Sequence, residues 1–343
     1  MKACIVNPYL DSLGGGERYS MSFAQVLSEM GFNVDVQWND QSILEKLRKR
    51  FGLKLKNIRI VPDVKRGDGY DVCFWLSDGS IPLLRSRNNI IHFQFPFKGV
   101  AGGSLINKMK LFRIKHVVCN SFFTKSFIDR EFKIESKVIY PPVDTVSFRP
   151  SRKKKDVIFY VGRFSLLTQN KAQGELVDAF IRFHKRYGTS FRLVLAGGVE
   201  VGSKKFLRDL KKKADGYPVT FLESPDFSEI VNLYKESKIF WSASGYGVDP
   251  VSEPMRVEHF GITTVEAMSS GSVPFCFDAG GNSEIIKDGK TGFLWKKKSE
   301  LIEKTMMIIT DKKLYNRVSR AAQKESERYS YEVFSKKVAK LLV

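Results

Sequence analysis

Short apolar runs recur along the chain and alternate with longer amphipathic stretches. In the first part the runs are Ala3–Asn7, Val34–Trp38, Ile58–Val61, Asp71–Trp75, Ile90–Phe93, Val117–Cys119 and Lys137–Tyr140. Their length and their β-branched and aromatic content predict strands. Glu17–Met30 and Thr124–Phe132, lying between them, predict helices. Strand and helix in alternation predict a parallel sheet covered on both faces. The pattern is then interrupted. Pro141, Pro142 and Pro150 flank Val143–Arg149, and the short basic segment Ser151–Lys155 follows. Prolines at that density stop regular structure, so an interdomain linker is expected here.

A second series repeats the first. Its predicted strands are Val157–Val161, Leu193–Ala196, Val219–Phe221, Ile239–Trp241, Val273–Phe277 and Gly292–Leu294. Its predicted helices include Glu175–Tyr187, Phe206–Ala214, Glu229–Glu236 and Thr264–Ser269, and Ser299–Val343 reads as helical throughout. The expected organisation is an N-terminal doubly wound domain over 1–150 and a second over 151–328. A terminal helix over 329–343 is expected to pack back toward the first. In such sheets ligands bind beyond the carboxyl ends of the strands.

Composition narrows the class. At 343 residues, with 43% hydrophobic and 27% charged residues, the chain is long enough for two cores and too apolar for extended disorder. No run approaches the roughly 18 uncharged apolar residues of a membrane span. The run Ala3–Val6 after Lys2 is too short for a signal-peptide core, so a cytoplasmic protein is expected. Cys4, Cys73, Cys119 and Cys276 each sit in an apolar run and none forms a C-x-x-C pair, which predicts buried free thiols rather than a metal site or disulfides. No D-x-D triplet is present to hold a metal–nucleotide complex.

The net charge is +20, with 23 basic and 14 acidic residues in 1–150 and 34 and 23 in the rest. An excess spread this evenly is not a basic tail. It implies either an anionic partner or a lysine-rich solvated surface.

Four motifs carry candidate chemistry. Gly14-Gly15-Gly16-Glu17 joins the first strand to the first helix, where backbone N–H groups and the helix dipole favour an anion. The residue three beyond Gly16 is Tyr19, so the dinucleotide fingerprint is missing. Glu258-His-Phe-Gly-Ile-Thr-Thr-Val-Glu266 places one carboxylate in a loop and the other one turn inside the helix that Gly261 opens. Free N–H groups near Gly261–Thr264 suit phosphate oxygens. Gly162-Arg163 ends the first strand of the second series, and Lys171 opens the next helix; two such cations can clamp a diphosphate, whereas either alone reads as a surface charge. Finally, Ala279–Ile286 holds the pair Gly280-Gly281 after a strand.

Together these motifs resemble the retaining glycosyltransferases of family 4, which have the GT-B fold. The likeness runs through nearly the whole chain. It also takes in Asn120-Ser121 with Thr124, Val138–Asp144 with Phe148 and Pro150, Leu195–Gly198 and Gly292-Phe293. The Glu258–Ile262 stretch and the glycine-rich start look most like mannosyltransferases that build lipid-linked oligosaccharides. The resemblance implies an α/β chain of two doubly wound Rossmann-like domains facing a central cleft. It implies transfer of a hexose from a UDP- or GDP-sugar to a saccharide or lipid-linked acceptor in glycan or glycolipid synthesis, without a metal or other cofactor.

It also implies roles. Arg163 and Lys171 neutralise the leaving diphosphate, Glu266 meets the ribose, and Glu258 holds hydroxyls of the sugar. Phe260, Gly261, Ile262 and Thr263 line the donor, Gly15 and Gly16 lie against its phosphates, and His92 sits beside the donor sugar and acceptor. The acceptor is then expected on the N-terminal side, near His92 and Lys98. Retention without a protein nucleophile implies a front-face displacement. The aromatic and basic stretch Phe93–Phe112, with Lys98, Lys108 and Lys110, is expected either to lie on the inner face of an anionic membrane or to be a loop followed by an ordinary helix.

The segment Phe164–Asn170 between the two cations is longer than the family pattern, and Gly245–Val257 is an insertion carrying Glu253, a rival to Glu258. An epimerase or hydrolase of the same fold, a phosphorylase and a non-catalytic sugar-nucleotide module stand as alternatives. No nucleic-acid partner is expected.

Overall fold

The computed structural model describes residues 1–150, 153–165, 169 and 171–342. They form two compact units, Met1–Pro142 with Tyr331–Val343, and Val143–Ser330.

The first unit runs β1 (Lys2–Val6), α1 (Gly15–Glu29), β2 (Asn33–Gln37), α2 (Ile43–Phe51), β3 (Ile58–Val61), β4 (Val72–Leu76), β5 (Asn88–Phe93), α3 (Leu105–Leu111), β6 (His116–Cys119), α4 (Phe122–Phe132) and β7 (Lys137–Val138). The strands pair in the order β3-β2-β1-β4-β5-β6-β7, all parallel. Strand β7 is shorter than the predicted Lys137–Tyr140. Its partner β6 ends at Cys119, and Ser121 caps α4 by accepting from Thr124 N–H, so nothing extends the ladder toward Pro141.

The second unit runs β8 (Lys155–Val161), α5 (Gln173–Tyr187), β9 (Arg192–Gly197), α6 (Lys204–Lys213), β10 (Val219–Glu223), α7 (Phe227–Glu236), β11 (Ser237–Ser242), α8 (Ile262–Ser269), β12 (Val273–Phe277), α9 (Asn282–Ile285), β13 (Phe293–Trp295), α10 (Lys298–Thr310) and α11 (Lys312–Ser326). Its parallel sheet has the order β10-β9-β8-β11-β12-β13.

Two features depart from the sequence pattern. The proline-flanked segment after Pro142 is packed into the second unit rather than left as a bare linker. Val143 N–H donates to Tyr329 O at 2.8 Å, Ser269 Oγ donates to Thr145 O at 3.0 Å, and Phe148 packs edge-on to Tyr234 at 5.2 Å. Residues 151 and 152 lie outside the described residues. The C-terminal stretch is also not one helix. Asp311 ends α10 and caps α11, accepting from Lys313 and Leu314 N–H at 2.9 Å each. A 3-10 turn, Glu327–Tyr329, then precedes α12 (Tyr331–Leu342).

Helix α12 belongs to the first unit. Phe334, Val338 and Leu341 join its core, Phe334 meets Tyr19 edge-on at 5.2 Å, and Tyr331 Oη donates to Glu29 at 2.8 Å. Among the described residues no helix is long and apolar enough to cross a membrane.

Glycines let the carboxyl ends of β8 and β9 close on one another. A methyl group on Gly197 would overlap the carbonyl oxygen of Gly162, whereas one on Gly198 would meet nothing nearer than Ser224 Oγ at 3.9 Å. Gly197→Ala is therefore expected to destabilise the second unit by about 1–3 kcal/mol, the usual cost of forcing volume into a packed site. Gly198→Ala is expected to stay within about 0.5 kcal/mol of the parent. Denaturant unfolding of the two variants checks this, and equal losses would show that the approach is not tight.

Candidate functional site

In the second unit the sequence-selected residues gather at the carboxyl end of the sheet. Arg163 follows β8, Lys171 precedes α5, and the loop 257–261 leads into α8. The glycine pair after β12 shapes that loop. A methyl group on Gly280 would overlap Glu258 O, and one on Gly281 would overlap the Phe260 backbone. The bare Gly281 N–H donates to Glu258 O at 2.7 Å. Helix α8 opens on Gly261, whose φ of 110° places it in left-handed space that favours glycine.

This seat delivers Glu258 to Lys171. Lys171 Nζ donates to Glu258 Oε2 at 2.9 Å, and the two side chains are only 15% and 17% exposed. Burial opposes the charge on each. The Lys171 ammonium, joined by His259 and Ser244, nevertheless holds the Glu258 carboxyl below the usual carboxylate range. Against burial, Glu258 first and Tyr160 second hold the Lys171 ammonium above its ordinary value. The nearby Arg163 charge pulls the Lys171 value down, so the two cations sense each other. Arg163 pairs with Glu200 at 2.8 Å and is 49% exposed.

Several supporting residues are not singled out by the sequence. Lys171 also donates to Gln169 Oε1 at 2.8 Å, and Gln169 Nε2 lies 3.1 Å from His259 Nδ1. His259 Nε2 faces Met255 O at 3.2 Å, which assigns it the proton and leaves Nδ1 as the acceptor. Burial pulls the His259 imidazolium down to a pKa of about 4 despite the adjacent Glu258, so the ring is neutral at pH 7. Gln169 falls in the long Phe164–Asn170 segment, whose length was its one signal. Residues 166–168 and 170 lie outside the described residues. Glu253, the rival carboxylate, pairs with Arg256 at 2.7 Å and is 49% exposed, away from Lys171's partners.

Phe260, in the loop before α8, and Glu266, inside it, are buried, and Ile262 and Thr263 are half-buried. Thr264 N–H donates to Gly261 O at 3.0 Å, so the amides at the start of α8 that lack an intrahelical acceptor are those of Ile262 and Thr263. Beside them Asn282 is fully buried. Its Oδ1 accepts from Thr264 Oγ1 at 3.0 Å, and among the described residues its Nδ2 has no acceptor.

The other sequence-selected residues belong to the first unit. Gly15 and Gly16 begin α1, but Glu17 already supplies a carboxylate there, accepting from Gly14 N–H at 2.7 Å and Ser12 Oγ at 2.8 Å. His92 has no exposed surface. It stacks on Tyr19 at 3.9 Å, and burial, only partly opposed by Gln94, pulls its pKa down to about 4. Its Nε2 lies 3.0 Å from Gln94 Oε1, and the side chain of Gln94 would be 3.5 Å from a methyl group on Gly16. His92 is thus a neutral core residue beneath Gln94 and Gly16. Lys98 is exposed on the loop before α3.

Residues 145–325, more than half of the chain, match the protein family described as glycosyl transferases group 1. Over 238 residues the chain is 26% identical to the O-antigen chain mannosyltransferase RfbU of Salmonella typhimurium, covering 66% of this chain and 61% of that protein. It is 27% identical over 176 residues to the alpha-monoglucosyldiacylglycerol synthase of Acholeplasma laidlawii, covering 50% of this chain and 39% of that one. The chain thus spans less than two thirds of the length of these relatives. Its structure is similar to that of Anabaena HepE solved in complex with UDP, with a TM-score of 0.74 at 17% identity, covering 100% of this chain and 99% of that one. At that identity the likeness establishes the fold, which is GT-B.

The Lys171–Glu258 pair has a pH signature. The Glu258 pKa is lowered on folding, so its contribution is fully present above the unfolded value of about 4.3 and is lost as pH falls through the folded value. Lys171→Met leaves the carboxylate without its ammonium and is expected to cost about 2–4 kcal/mol at pH 7. Protonation of Glu258 relieves the variant, so its deficit should narrow on acidification toward about pH 4. Unfolding curves at several pH values check this; a deficit independent of pH would show that the pair is not the cause.

Proposed function

We propose that this chain, which belongs to the glycosyl transferases group 1 family, moves a hexose from a UDP- or GDP-sugar to a saccharide or lipid-linked acceptor. The observation that carries the reading is the half-buried Lys171–Glu258 pair beside Arg163 and the α8 N-terminus. A nucleotide-sugar presents a diphosphate next to a polyhydroxylated ring, and this arrangement offers cations next to a carboxylate. Arg163 and Lys171 take the diphosphate charge. The α8 amides and the buried Asn282 Nδ2 donate to donor oxygens. Glu258 accepts from hydroxyls of the sugar, and Glu266 accepts from the ribose.

Chemistry then follows from positioning and charge. The acceptor oxygen bonds to the anomeric carbon as the bond from that carbon to the phosphate oxygen breaks. The departing phosphate oxygen takes the acceptor proton. Attack and departure on one face retain the anomeric configuration. Because Arg163 and Lys171 neutralise the leaving group, a divalent metal is not required.

Helix α3 points to where the acceptor is met. None of its residues is buried. Leu105, Ile106, Met109 and Phe112 are 74%, 65%, 68% and 93% exposed and lie at helical spacing, so they form one apolar stripe. Lys108, Lys110, Arg113 and Lys115 flank it. The preceding loop is pinned by Glu131, which accepts from Gly99, Val100 and Gly102 N–H at 2.9, 2.9 and 3.0 Å. An apolar stripe within a basic collar matches an anionic lipid surface, and the enzyme acts as a peripheral protein on it.

UDP or GDP is expected to raise the unfolding temperature in the presence of a chelator. Glu266→Ala should weaken that nucleotide about tenfold or more, the worth of a charge-assisted hydrogen bond, while still unfolding cooperatively. Arg163→Ala should lower turnover on the order of a hundredfold, with a smaller change in donor KM. A strict metal requirement for both binding and turnover, or unaltered nucleotide affinity in folded Glu266→Ala, would overturn the corresponding assignment. An inverted anomeric centre in the product would exclude the front-face route.

For the membrane contact, the chain should sediment with phosphatidylglycerol-containing vesicles and not with phosphatidylcholine alone. Met109→Ser with Phe112→Ser should reduce that binding about tenfold. No sedimentation of the parent chain would remove α3 from this role.

A further inference from the structure

The Lys171–Glu258 pair is spanned by a third side chain. Gln169 Oε1 accepts from Lys171 Nζ at 2.8 Å, beside the 2.9 Å bond from the same ammonium to Glu258 Oε2. The other end of the amide serves the loop that carries the carboxylate. Gln169 Nε2 donates to Val257 O at 3.2 Å and meets His259 Nδ1 at 3.1 Å. Val257 and His259 stand on either side of Glu258 in the chain. One side chain thus ties the cation to the stretch of loop that presents the anion. All of these residues belong to the second unit.

The amide has one workable orientation. Turned about, it would set N–H groups against an ammonium and its oxygen against a carbonyl oxygen. His259 is locked to match. Its Nε2 needs its proton for Met255 O, at 3.2 Å, so Nδ1 keeps a lone pair for Gln169. The ring is 3% exposed, and burial, opposed by Glu258 and aided by Lys171, keeps it neutral at pH 7.

An amide at this point also spares charge. Arg163 is met by the carboxylate of Glu200. Lys171 is met by one carboxylate and one neutral oxygen, and a neutral acceptor directs the ammonium without cancelling it. An ammonium has three N–H groups. Among the described residues Glu258 and Gln169 take two, which leaves the third for a ligand. We infer that Gln169 is a positioning residue, which aims the Lys171 ammonium at the sugar-bearing phosphate of the donor and is anchored by the Nε2-protonated His259. That phosphate is the one faced because Lys171 shares its charge with Glu258, the carboxylate assigned to the sugar. This role rests on the donor-site reading for the identity of the ligand.

Two variants of the full chain test the role, each checked first for cooperative unfolding. Calorimetric titration with UDP, GDP, UMP and GMP compares diphosphate with monophosphate. Gln169→Leu removes both ends of the bridge. It should weaken the diphosphate that the parent binds about tenfold and leave the matching monophosphate within about twofold, because the monophosphate lacks the group that Lys171 faces. A side chain that only shapes the loop would lower both together or neither. Gln169→Glu keeps the shape, adds a charge and loses both N–H groups. It should weaken the diphosphate more than Gln169→Leu does. It should also move a proton. A carboxylate facing His259 Nδ1 favours the imidazolium, so the His259 pKa should rise from about 4 into the ordinary histidine range or above it. Imidazole NMR follows this, with His259 assigned by the signal that His259→Asn removes.

Unchanged diphosphate affinity in folded Gln169→Leu, or equal losses of diphosphate and monophosphate, overturns the inference. So does a His259 pKa that Gln169→Glu leaves in place. If Gln169→Leu does not fold, the diphosphate-to-monophosphate ratio of Gln169→Glu decides the same point. A parent chain that binds neither UDP nor GDP defeats the donor site and this role together. Nucleotide binding by the parent with any of the preceding outcomes defeats this role alone.

Discussion

The candidate site depends on one close backbone approach. The Gly280-Gly281 pair lies against the backbone of Glu258–Phe260, so close that neither position has room for a side chain, and the Gly281 amide bonds to Glu258 O. That contact fixes the loop entering α8, and the loop carries both the Glu258 carboxylate and the left-handed Gly261 that starts the helix. If the loop moved by an ångström, the Lys171 ammonium and the Glu258 carboxylate would each be half-buried without a counter-charge, at a cost of several kcal/mol. The same device recurs across the unit, where bare Gly197 lets the ends of β8 and β9 close. Glycine here acts by leaving room for neighbouring backbone.

Around that seat the electrostatics are arranged in opposed pairs. Lys171 faces Glu258 and Arg163 faces Glu200, while the neutral His259 and Gln169 complete the hydrogen bonding. On the proposed reading, a ligand bearing a diphosphate would exchange these carboxylate partners for phosphate oxygens, and the released carboxylates would become acceptors for hydroxyl groups. The first unit shows the contrasting case. Glu17 already accepts from the Gly14 amide and the Ser12 hydroxyl, and the neutral His92 is buried against Tyr19.

The large basic excess is therefore not one signal. Part of it is consumed in ion pairs on the second unit, and part flanks the apolar stripe of α3. These regions are electrostatically separate, because charge is effective over roughly 8–10 Å at physiological salt. The net figure of +20 averages over regions that behave differently.

The sequence by itself determined the alternation of strand and helix, the doubled architecture and the strands to within a few residues. These follow from short-range patterning that the backbone reads locally. It also determined which residue types stand at strand ends and helix starts, and so Arg163, Lys171, Glu258, Gly261 and Glu266 were legible as candidates. Only the tertiary structure decided who meets whom. Gln169, Glu200 and His259 joined the cluster because loops distant in sequence converge there, and Glu253 stayed on the surface beside Arg256. His92 became core because Tyr19 and Phe74, from other elements, close over it. The segment after Pro142 packed on Tyr234 and Tyr329, and α12 rejoined the first unit through Phe334. Patterning records which face of an element is apolar, whereas pairing across the chain is set by the packing that buries those faces together.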